Sequence, residues 1–244
     1  MADEQSVWNK DTRTMPDKIF FGDAPVALGR FPFDLREVMY YLYLPVVLHD
    51  DLEIRLPPNV EVCRPMIQYC MADALGLFGR RKKQHSFRYV YLSARKGWAT
   101  PDNPLNRPGW HSDGFGTDDL NYLWWTGPGT RFAIQRFENI SDDHLVSLQQ
   151  FEAQVRDECV LSDFREKQCY AVHPGVVHAT PLIEAPGCMR QYVKVSLSNR
   201  RYNLENNSHN YLFDYDWPLH PRAEMRNDTQ KAQLDYNDDE KDTP

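Results

Sequence analysis

The segment at residues 189–198, MRQYVKVSLS, constrains the fold more than any other stretch of the chain. Alternate residues of the segment differ in polarity. The even-numbered positions are mostly polar (Arg190, Tyr192, Lys194 and Ser196), and the odd-numbered positions are apolar (Met189, Val193, Val195 and Leu197), with Gln191 as the exception. Successive side chains of a strand point to opposite faces, so the pattern predicts a strand with one apolar face packed against helices. The polar face is expected to line a barrel interior, where a polar stripe is costly unless a ligand or partner groups satisfy it.

Before residue 86 the sequence predicts two helices with a strand-like segment between them. The first helix is predicted over residues 34–44, with Asp34 as a suitable N-cap. Residues 52–62 read as a strand, and the second helix is expected to begin near Pro65, which suits a first helical turn. Helices therefore occupy the N-terminal third of the predicted fold.

From residue 86 onward the chain becomes rich in β-forming residues. Strands are predicted within the segments 86–94, 121–127, 130–137, 167–182 and 189–198. An amphipathic helix, capped by Ser141, is expected over residues 141–157 inside this β region. A run of strands after N-terminal helices predicts a mainly β fold with flanking helices, closed as a barrel or a sandwich.

The length of 244 residues fits a single large domain. We expect that domain to cover residues 1–225, divided into an N-terminal helical and strand region (1–85), a barrel core (about 86–200) and a C-terminal extension (201–225). The segment 226–244 is acidic and almost without core-forming residues, which predicts a disordered tail.

Composition restricts the cellular setting and the class of partner. The formal net charge of −7 argues against a broad nucleic-acid-binding face, and the basic run at 79–85 is expected to be a solvated loop rather than a phosphate contact. No signal peptide or membrane-spanning stretch is evident. Five cysteines without a C-x-x-C pair favour reduced thiols over disulfides, so a cytoplasmic protein without a membrane partner is expected.

His111 and Asp113, which are two positions apart in the sequence, predict a metal site. If they lie on a strand, both side chains reach the same face while Ser112 turns away. One imidazole and one carboxylate make a poor site, so a third ligand is needed, and His173 and His178 are both available. Two histidines and one carboxylate on one face of an octahedron leave open positions on Fe(II) for a co-substrate and O2.

The order W-H-x-D-G (110–114), a helix-containing insertion, P-G-x-x-H (174–178) and a downstream Arg resembles the Fe(II)/2-oxoglutarate-dependent dioxygenases. The resemblance covers roughly residues 86–198. It implies a double-stranded β-helix, a jelly-roll or cupin-like barrel. It also implies that His111, Asp113 and His178 bind Fe(II), since the distal ligand of the family follows a Pro-Gly turn; His173 ranks second.

The resemblance further implies a basic side chain on the last barrel strand that pairs with the far carboxylate of 2-oxoglutarate. Arg190, twelve residues after His178, is preferred because a guanidinium binds a carboxylate through two parallel hydrogen bonds. Lys194 followed by Ser196 has the form of another family pattern and remains an alternative anchor. Two further residues, Tyr91 and Asn121, are weaker candidates for the co-substrate site.

The implied activity is oxidation, most simply hydroxylation, of a C–H bond in a small molecule, with 2-oxoglutarate and O2 as co-substrates. Asp113 is retained, whereas halogenating relatives carry a small residue there. Three alternatives stay open: the same chemistry on a nucleobase or nucleic acid, a cupin metal enzyme that does not use 2-oxoglutarate, and a non-catalytic jelly-roll binding module. Dependence of activity on 2-oxoglutarate and on His111 and Asp113 distinguishes them.

Overall fold

A computed structural model describes residues 20–48, 52–81 and 84–222. The described chain is mainly β, as expected. Its strands are β1 (Val26–Arg30), β2 (Met39–Val47), β3 (Tyr89–Ala99), β4 (His111–Ser112), β5 (Leu120–Thr126), β6 (Arg131–Ala133), β7 (Val160–Leu161), β8 (Gln168–Val172), β9 (Val177–Ala179) and β10 (Cys188–Ser198). Its α-helices are α1 (Arg64–Ala74) and α2 (His144–Gln154), and short 3-10 helices cover Pro58–Cys63 and Asp157–Cys159.

The strands form two antiparallel sheets. The larger sheet has the order β1-β8-β5-β10-β3-β2, and the smaller one has the order β4-β9-β6-β7. The eight strands from β3 to β10 pair in a nested sequence: β3 with β10, β4 with β9, β5 with β8, and β6 with β7. Segments far apart in the chain therefore lie side by side, and β10 is held between β3 and β5 in the larger sheet.

Strand β10 separates its side chains by parity as the sequence predicts. Val193, Val195 and Leu197 are fully buried in the main core, which also holds Met66 and Ile67 of α1. Full burial of an aliphatic side chain of this size contributes roughly 1.5–3 kcal/mol. The other face, with Arg190, Tyr192 and Lys194, lines a cavity. The alternating pattern thus places β10 between an apolar core and a polar cavity.

The helix predicted over residues 34–44 is wrong, because residues 39–44 belong to β2 and residues 34–38 form neither a helix nor a strand. Tyr41 pairs with Ala94 and Leu44 pairs with Leu92 of β3, so a neighbouring strand supplies the backbone partners that a helix would have supplied internally. Leu35, at the predicted helix start, instead donates its backbone N–H to the Gln191 side chain at 2.6 Å. Aromatic and β-branched residues suit this half-buried sheet position.

The strand predicted over residues 52–62 is also wrong. Residues 52–57 have no regular secondary structure, and the chain then enters the 3-10 helix at Pro58–Cys63. Pro57 and Pro58 lack the backbone N–H that a strand donates, and their rings hold φ near the value that a helical turn needs. The local proline chemistry therefore outweighs the alternating pattern of this segment.

The two remaining helix predictions are confirmed with changed ends. Helix α1 has Pro65 in its first turn, as expected. Helix α2 begins later than predicted, since Asp143 rather than Ser141 accepts the backbone N–H groups of Leu145 and Val146, both at 2.9 Å. A carboxylate in this position satisfies two donors that the helix cannot satisfy itself.

Within the described ranges, none of the helices has the length and apolar character needed to cross a lipid bilayer. All five cysteines carry free thiols, as expected. The predicted acidic tail at 226–244 lies outside the described residues, and so do all residues before Phe20.

Candidate metal centre and its cavity

Two histidines lie side by side on neighbouring strands of the smaller sheet. His111 of β4 pairs directly with His178 of β9, and their ring centroids lie 4.5 Å apart. Directly opposed residues of an antiparallel pair project to the same face, so the register alone brings the two imidazoles together. Asp113 follows β4 and is carried back towards them by a turn in which Gly114 has a φ of +73°. The sequence-distant members of the predicted triad thus become neighbours.

One ligand atom from each of His111, Asp113 and His178 lies within 4.8 Å of the others. The Asp113 carboxylate is 3.5 Å from His178 Nε2 through Oδ2 and 3.9 Å from His111 Nε2 through Oδ1. At metal–ligand distances of about 2.1 Å, adjacent donors on an octahedron lie about 3 Å apart, so small inward shifts suffice to bind one ion. Three side chains of metal-binding type therefore form one compact group.

The alternative third ligand, His173, lies elsewhere. Its side chain is 45% exposed, and its Nε2 is 3.4 Å from Asp23 Oδ2. Its Nδ1 accepts the backbone N–H of Gly175 at 3.1 Å, within the Pro-Gly turn. The turn that precedes His178 therefore brings His178, and not His173, to the other two residues.

Backbone carbonyls hold both imidazoles in the orientation that a metal ligand needs. His111 Nδ1 is 3.0 Å from the Gly109 carbonyl, and His178 Nδ1 is 3.2 Å from the Val176 carbonyl. A carbonyl only accepts, so Nδ1 carries the proton and Nε2 is left with a lone pair facing Asp113. Burial, and then the neighbouring His178, lower the pKa of His111 to about 3, so this ring is neutral at pH 7.

A buried lysine neutralises the carboxylate of the group. Lys194 Nζ lies 3.1 Å from Asp113 Oδ2 and donates to the Tyr43 hydroxyl at 2.9 Å. Burial alone raises the pKa of Asp113, but its contacts, above all the one with Lys194, outweigh burial and hold that pKa well below the usual range. Asp113 is therefore ionised, and one of its oxygens is directed towards Lys194.

Arg190 is a buried cation whose hydrogen bonds go to neutral acceptors. The side chain donates from Nε to the Pro128 carbonyl at 3.0 Å, and from Nη1 to the Pro104 carbonyl at 3.2 Å and to Asn106 Oδ1. Among the described residues no carboxylate forms an ion pair with it, and burial lowers its pKa to about 10. Arg190 lines the same cavity of about 300 Å³ as His111, Asp113 and His178.

Three of the residues predicted for the co-substrate site lie outside the lining of this cavity. Ser196 donates to Asn121 Oδ1 at 2.6 Å, so these two polar side chains pair with each other. The Tyr91 hydroxyl donates to the Arg200 carbonyl at 2.9 Å, and its ring stacks on Tyr202 with centroids 4.2 Å apart. The structure thus brings Arg190 and Lys194 to the cavity and places Tyr91, Asn121 and Ser196 beside it.

Sequence reasoning missed two residues that hold the cavity cations. Tyr43 lies in the segment wrongly predicted as a helix, so its position beside Lys194 was not foreseeable from the pattern. Asn106 lies in the loop before β4, where the only available signal was its closeness in sequence to the His111 motif. Each residue contributes through a tertiary contact and has no local signature.

The sequence matches no protein-family model, and no curated protein gives a significant match.

Proposed function

We propose that this protein is an Fe(II)- and 2-oxoglutarate-dependent dioxygenase that oxidises a C–H bond of a small molecule. The observation that carries the proposal is the presence, in one cavity, of a His-Asp-His group and a buried arginine bonded to neutral acceptors. The first feature suits a divalent metal with open positions, and the second suits a carboxylate. An enzyme of this chemistry needs both within reach of one co-substrate.

The winding of the sheets supports a double-stranded β-helix. The nested pairing of β3 to β10 is that of a long antiparallel ribbon whose halves alternate between two sheets. A ribbon wound in this way gives the eight-stranded jelly roll. In such a fold the ligands His111 and His178 lie on paired strands, and Arg190 lies on the last strand.

The residues of the cavity fit the metal and the co-substrate. His111 and His178 would bind Fe(II) through Nε2, and Asp113 through the carboxylate oxygen not held by Lys194. We assign Arg190 rather than Lys194 to the far carboxylate of 2-oxoglutarate, because Lys194 is already paired with Asp113. When bound, the iron with 2-oxoglutarate and O2 supplies the oxidation, in which one oxygen atom enters succinate and the other enters the product.

The protein residues prepare the site for that chemistry. Lys194 keeps Asp113 ionised, and the carbonyls of Gly109 and Val176 fix the ring tautomers of the two histidines. Tyr192 lines the cavity, and its strand neighbour Trp125 is fully buried behind it, so aromatic side chains form part of the surroundings. The protein thereby supplies ligand geometry and a low-dielectric cavity, whereas the cofactor supplies the reactivity.

A small-molecule substrate is favoured over a nucleic acid. The cavity of about 300 Å³ is at the lower end of the roughly 300–1,000 Å³ typical of small-molecule sites. In the described part of the basic run, Arg80 and Arg81 both bond to the carboxylate of Asp73. These two side chains therefore form structural ion pairs with a residue of helix α1.

Anaerobic titration with Fe(II) and 2-oxoglutarate tests the proposal. We expect a weak visible metal-to-ligand charge-transfer band in the wild-type protein and its loss in His178→Ala. The matched control is His173→Ala, in which the band should persist because His173 lies outside the group. Absence of the band in the wild type, or its persistence in His178→Ala, shows that the proposal is wrong.

Turnover then separates the remaining alternatives. Succinate formation that needs Fe(II), 2-oxoglutarate and O2 is expected even without a prime substrate, at a low rate. Oxidation that proceeds without 2-oxoglutarate indicates a cupin-like metal enzyme, and absence of both metal binding and turnover indicates a binding module. Stimulation of succinate release by oligonucleotides more than by small molecules indicates a nucleobase substrate.

A further inference from the structure

The cavity is strongly basic in a protein of net acidic charge. Its lining contains one carboxylate, Asp113, and five permanently charged basic side chains: Arg95, Arg107, Arg190, Lys194 and Arg222. The whole chain has a formal net charge of −7. Lys194 is paired with Asp113, and the proposed function assigns Arg190 to 2-oxoglutarate. Three arginines therefore remain for another anion.

These three arginines lack the carboxylate partner that seven basic residues elsewhere in the fold have. Away from the cavity, carboxylates pair with Arg55, Arg64, Arg80, Arg81, Arg136, Arg156 and Lys167. In the cavity, Arg95 donates to the Leu105 carbonyl, and Arg107 Nη1 lies 3.3 Å from His144 Nε2. Arg222 donates to the Glu205 carbonyl and to Asn207 Oδ1. Across the described ranges, no carboxylate forms an ion pair with any of the three.

The strand register places Arg95 close to the candidate metal centre. Arg95 of β3 pairs with Tyr192 of β10 on one side and with Tyr40 of β2 on the other. Its guanidinium carbon lies 4.7 Å from the centroid of the Tyr40 ring, which orients the guanidinium. Lys194, which contacts Asp113, is two residues along β10 from Tyr192. A step of two residues and one strand spacing put the Cα atoms of Arg95 and Lys194 on the order of 8 Å apart.

We propose that Arg95 and Arg107, with Arg222 beside them, bind an anionic group of the prime substrate. The substrate class is then a small carboxylate or phosphate ester whose oxidised carbon lies a few bonds from that group. Guanidinium groups bind either oxyanion through paired hydrogen bonds. This inference rests on the proposed function for the oxidation step, while the anion site itself stands on the arginines alone.

Matched acids and amides test the inference. The probes are short aliphatic and phenyl-substituted monocarboxylic acids, the corresponding primary amides and the corresponding phosphate monoesters. With Fe(II) and 2-oxoglutarate bound anaerobically, each probe is titrated while the visible band is followed. At least one acid or phosphate ester is expected to bind ten times more tightly than its amide. Equal affinity of every anion and its neutral partner overturns the inference, and the better of the two anions identifies the group.

Arginine variants connect the preference to this site. In Arg95→Gln the preference for the anion should fall at least tenfold, and in Arg95→Lys part of it should return. Arg107→Gln is the second variant, because its exposed side chain can be replaced without disturbing the core. The matched control is Arg136→Gln, whose exposed side chain pairs with Glu138 and is not part of the cavity lining. An unchanged preference in both Arg95→Gln and Arg107→Gln shows that the assignment is wrong.

A metal-free measurement distinguishes failure of this inference from failure of the proposed function. The probes are added to protein treated with chelator, and the shift in Tm is compared for acids, phosphate esters and amides. A larger shift with the anions, lost in Arg95→Gln, supports the anion site even if 2-oxoglutarate produces no visible band. A visible band with no anion preference in either assay supports the oxygenase and overturns the anion site.

Discussion

The Lys194 ammonium lies 3.1 Å from the Asp113 carboxylate inside the cavity, and both side chains are largely buried. A charge in this setting is tolerated because it has a partner, and removal of one partner leaves the other uncompensated. This ion pair therefore keeps the Asp113 carboxylate ionised in the metal-free protein, and so available to bind a cation.

Lys194→Met should destabilise the metal-free protein by about 3 kcal/mol, because an unpaired carboxylate then remains in a buried position. A divalent cation should restore much of this loss, since it supplies positive charge next to Asp113 and binds only the folded state. Urea unfolding with chelator and with excess Co(II) or Fe(II) measures both effects.

Lys167→Met is the matched control for this prediction. Lys167 pairs with Asp34 at 2.9 Å on the surface, where an ion pair contributes about 0–1 kcal/mol. Its unfolding free energy should change little and should gain no more from the metal than the wild type does. Equal destabilisation of the two variants would contradict the buried-pair account.

Arg190→Met should weaken binding of 2-oxoglutarate about 10- to 100-fold, which corresponds to roughly 1.4–3 kcal/mol for lost charge-assisted hydrogen bonds. The metal itself should still bind, because Arg190 contacts neutral groups and none of the three candidate ligands. Titration of the visible band with 2-oxoglutarate gives the affinity, and Arg136→Met serves as a control at an exposed site. Undiminished affinity in Arg190→Met would reassign the anchor.

The stability of the metal-free protein should fall below about pH 6.5 because of His111. Its pKa is about 3 when folded, against about 6.5 in an unfolded chain. Between these values the unfolded state binds the proton first, so this contribution is intact above pH 6.5 and is lost progressively towards pH 3. The slope for one proton is at most about 1.4 kcal/mol per pH unit.

Chemical unfolding of wild type and His111→Gln from pH 4 to pH 7.5 measures this slope. The variant lacks the titrating ring, so its stability should depend less steeply on pH in the window between about 4 and 6.5. Parallel curves for the two proteins would show that His111 is not buried in its neutral form.

Gly187→Ala should destabilise the protein more than Gly116→Ala does. Both glycines have positive φ, +109° and +73°, which costs an alanine about 1–2 kcal/mol. A Cβ at Gly187 would also lie 2.3 Å from the Ala99 carbonyl oxygen, whereas at Gly116 nothing lies within 4 Å. Thermal unfolding of both variants separates the backbone cost from the steric clash, and equal losses would refute the clash.

Features encoded by local periodicity were predictable from the sequence. The parity of β10 assigned Val193 and Val195 to the core and Arg190 and Lys194 to the cavity, because a strand has no other way to place alternate side chains. The preference for His178 over His173, in contrast, came from the family resemblance and not from periodicity.

Features that depend on tertiary partners were not predictable. Residues 34–44 carry a convincing helix start, yet pairing with β3 makes Met39–Val47 a strand. As a consequence, Tyr43 was not recognised as the partner of Lys194. Tyr91 has the expected strand position, but its hydroxyl bonds to the Arg200 carbonyl, which no pattern within β3 could reveal.

The pairing of β4 with β9 has a consequence for the order of folding. These strands have two and three residues, yet they join His111 to His178, which are separated by 67 residues in the sequence. A contact that closes so long a loop with so few hydrogen bonds cannot offset the lost chain entropy by itself. We therefore expect the two imidazoles to meet only after the longer β3–β10 and β5–β10 pairings have drawn the chain together, so a metal ion bound by both would report a late stage of folding.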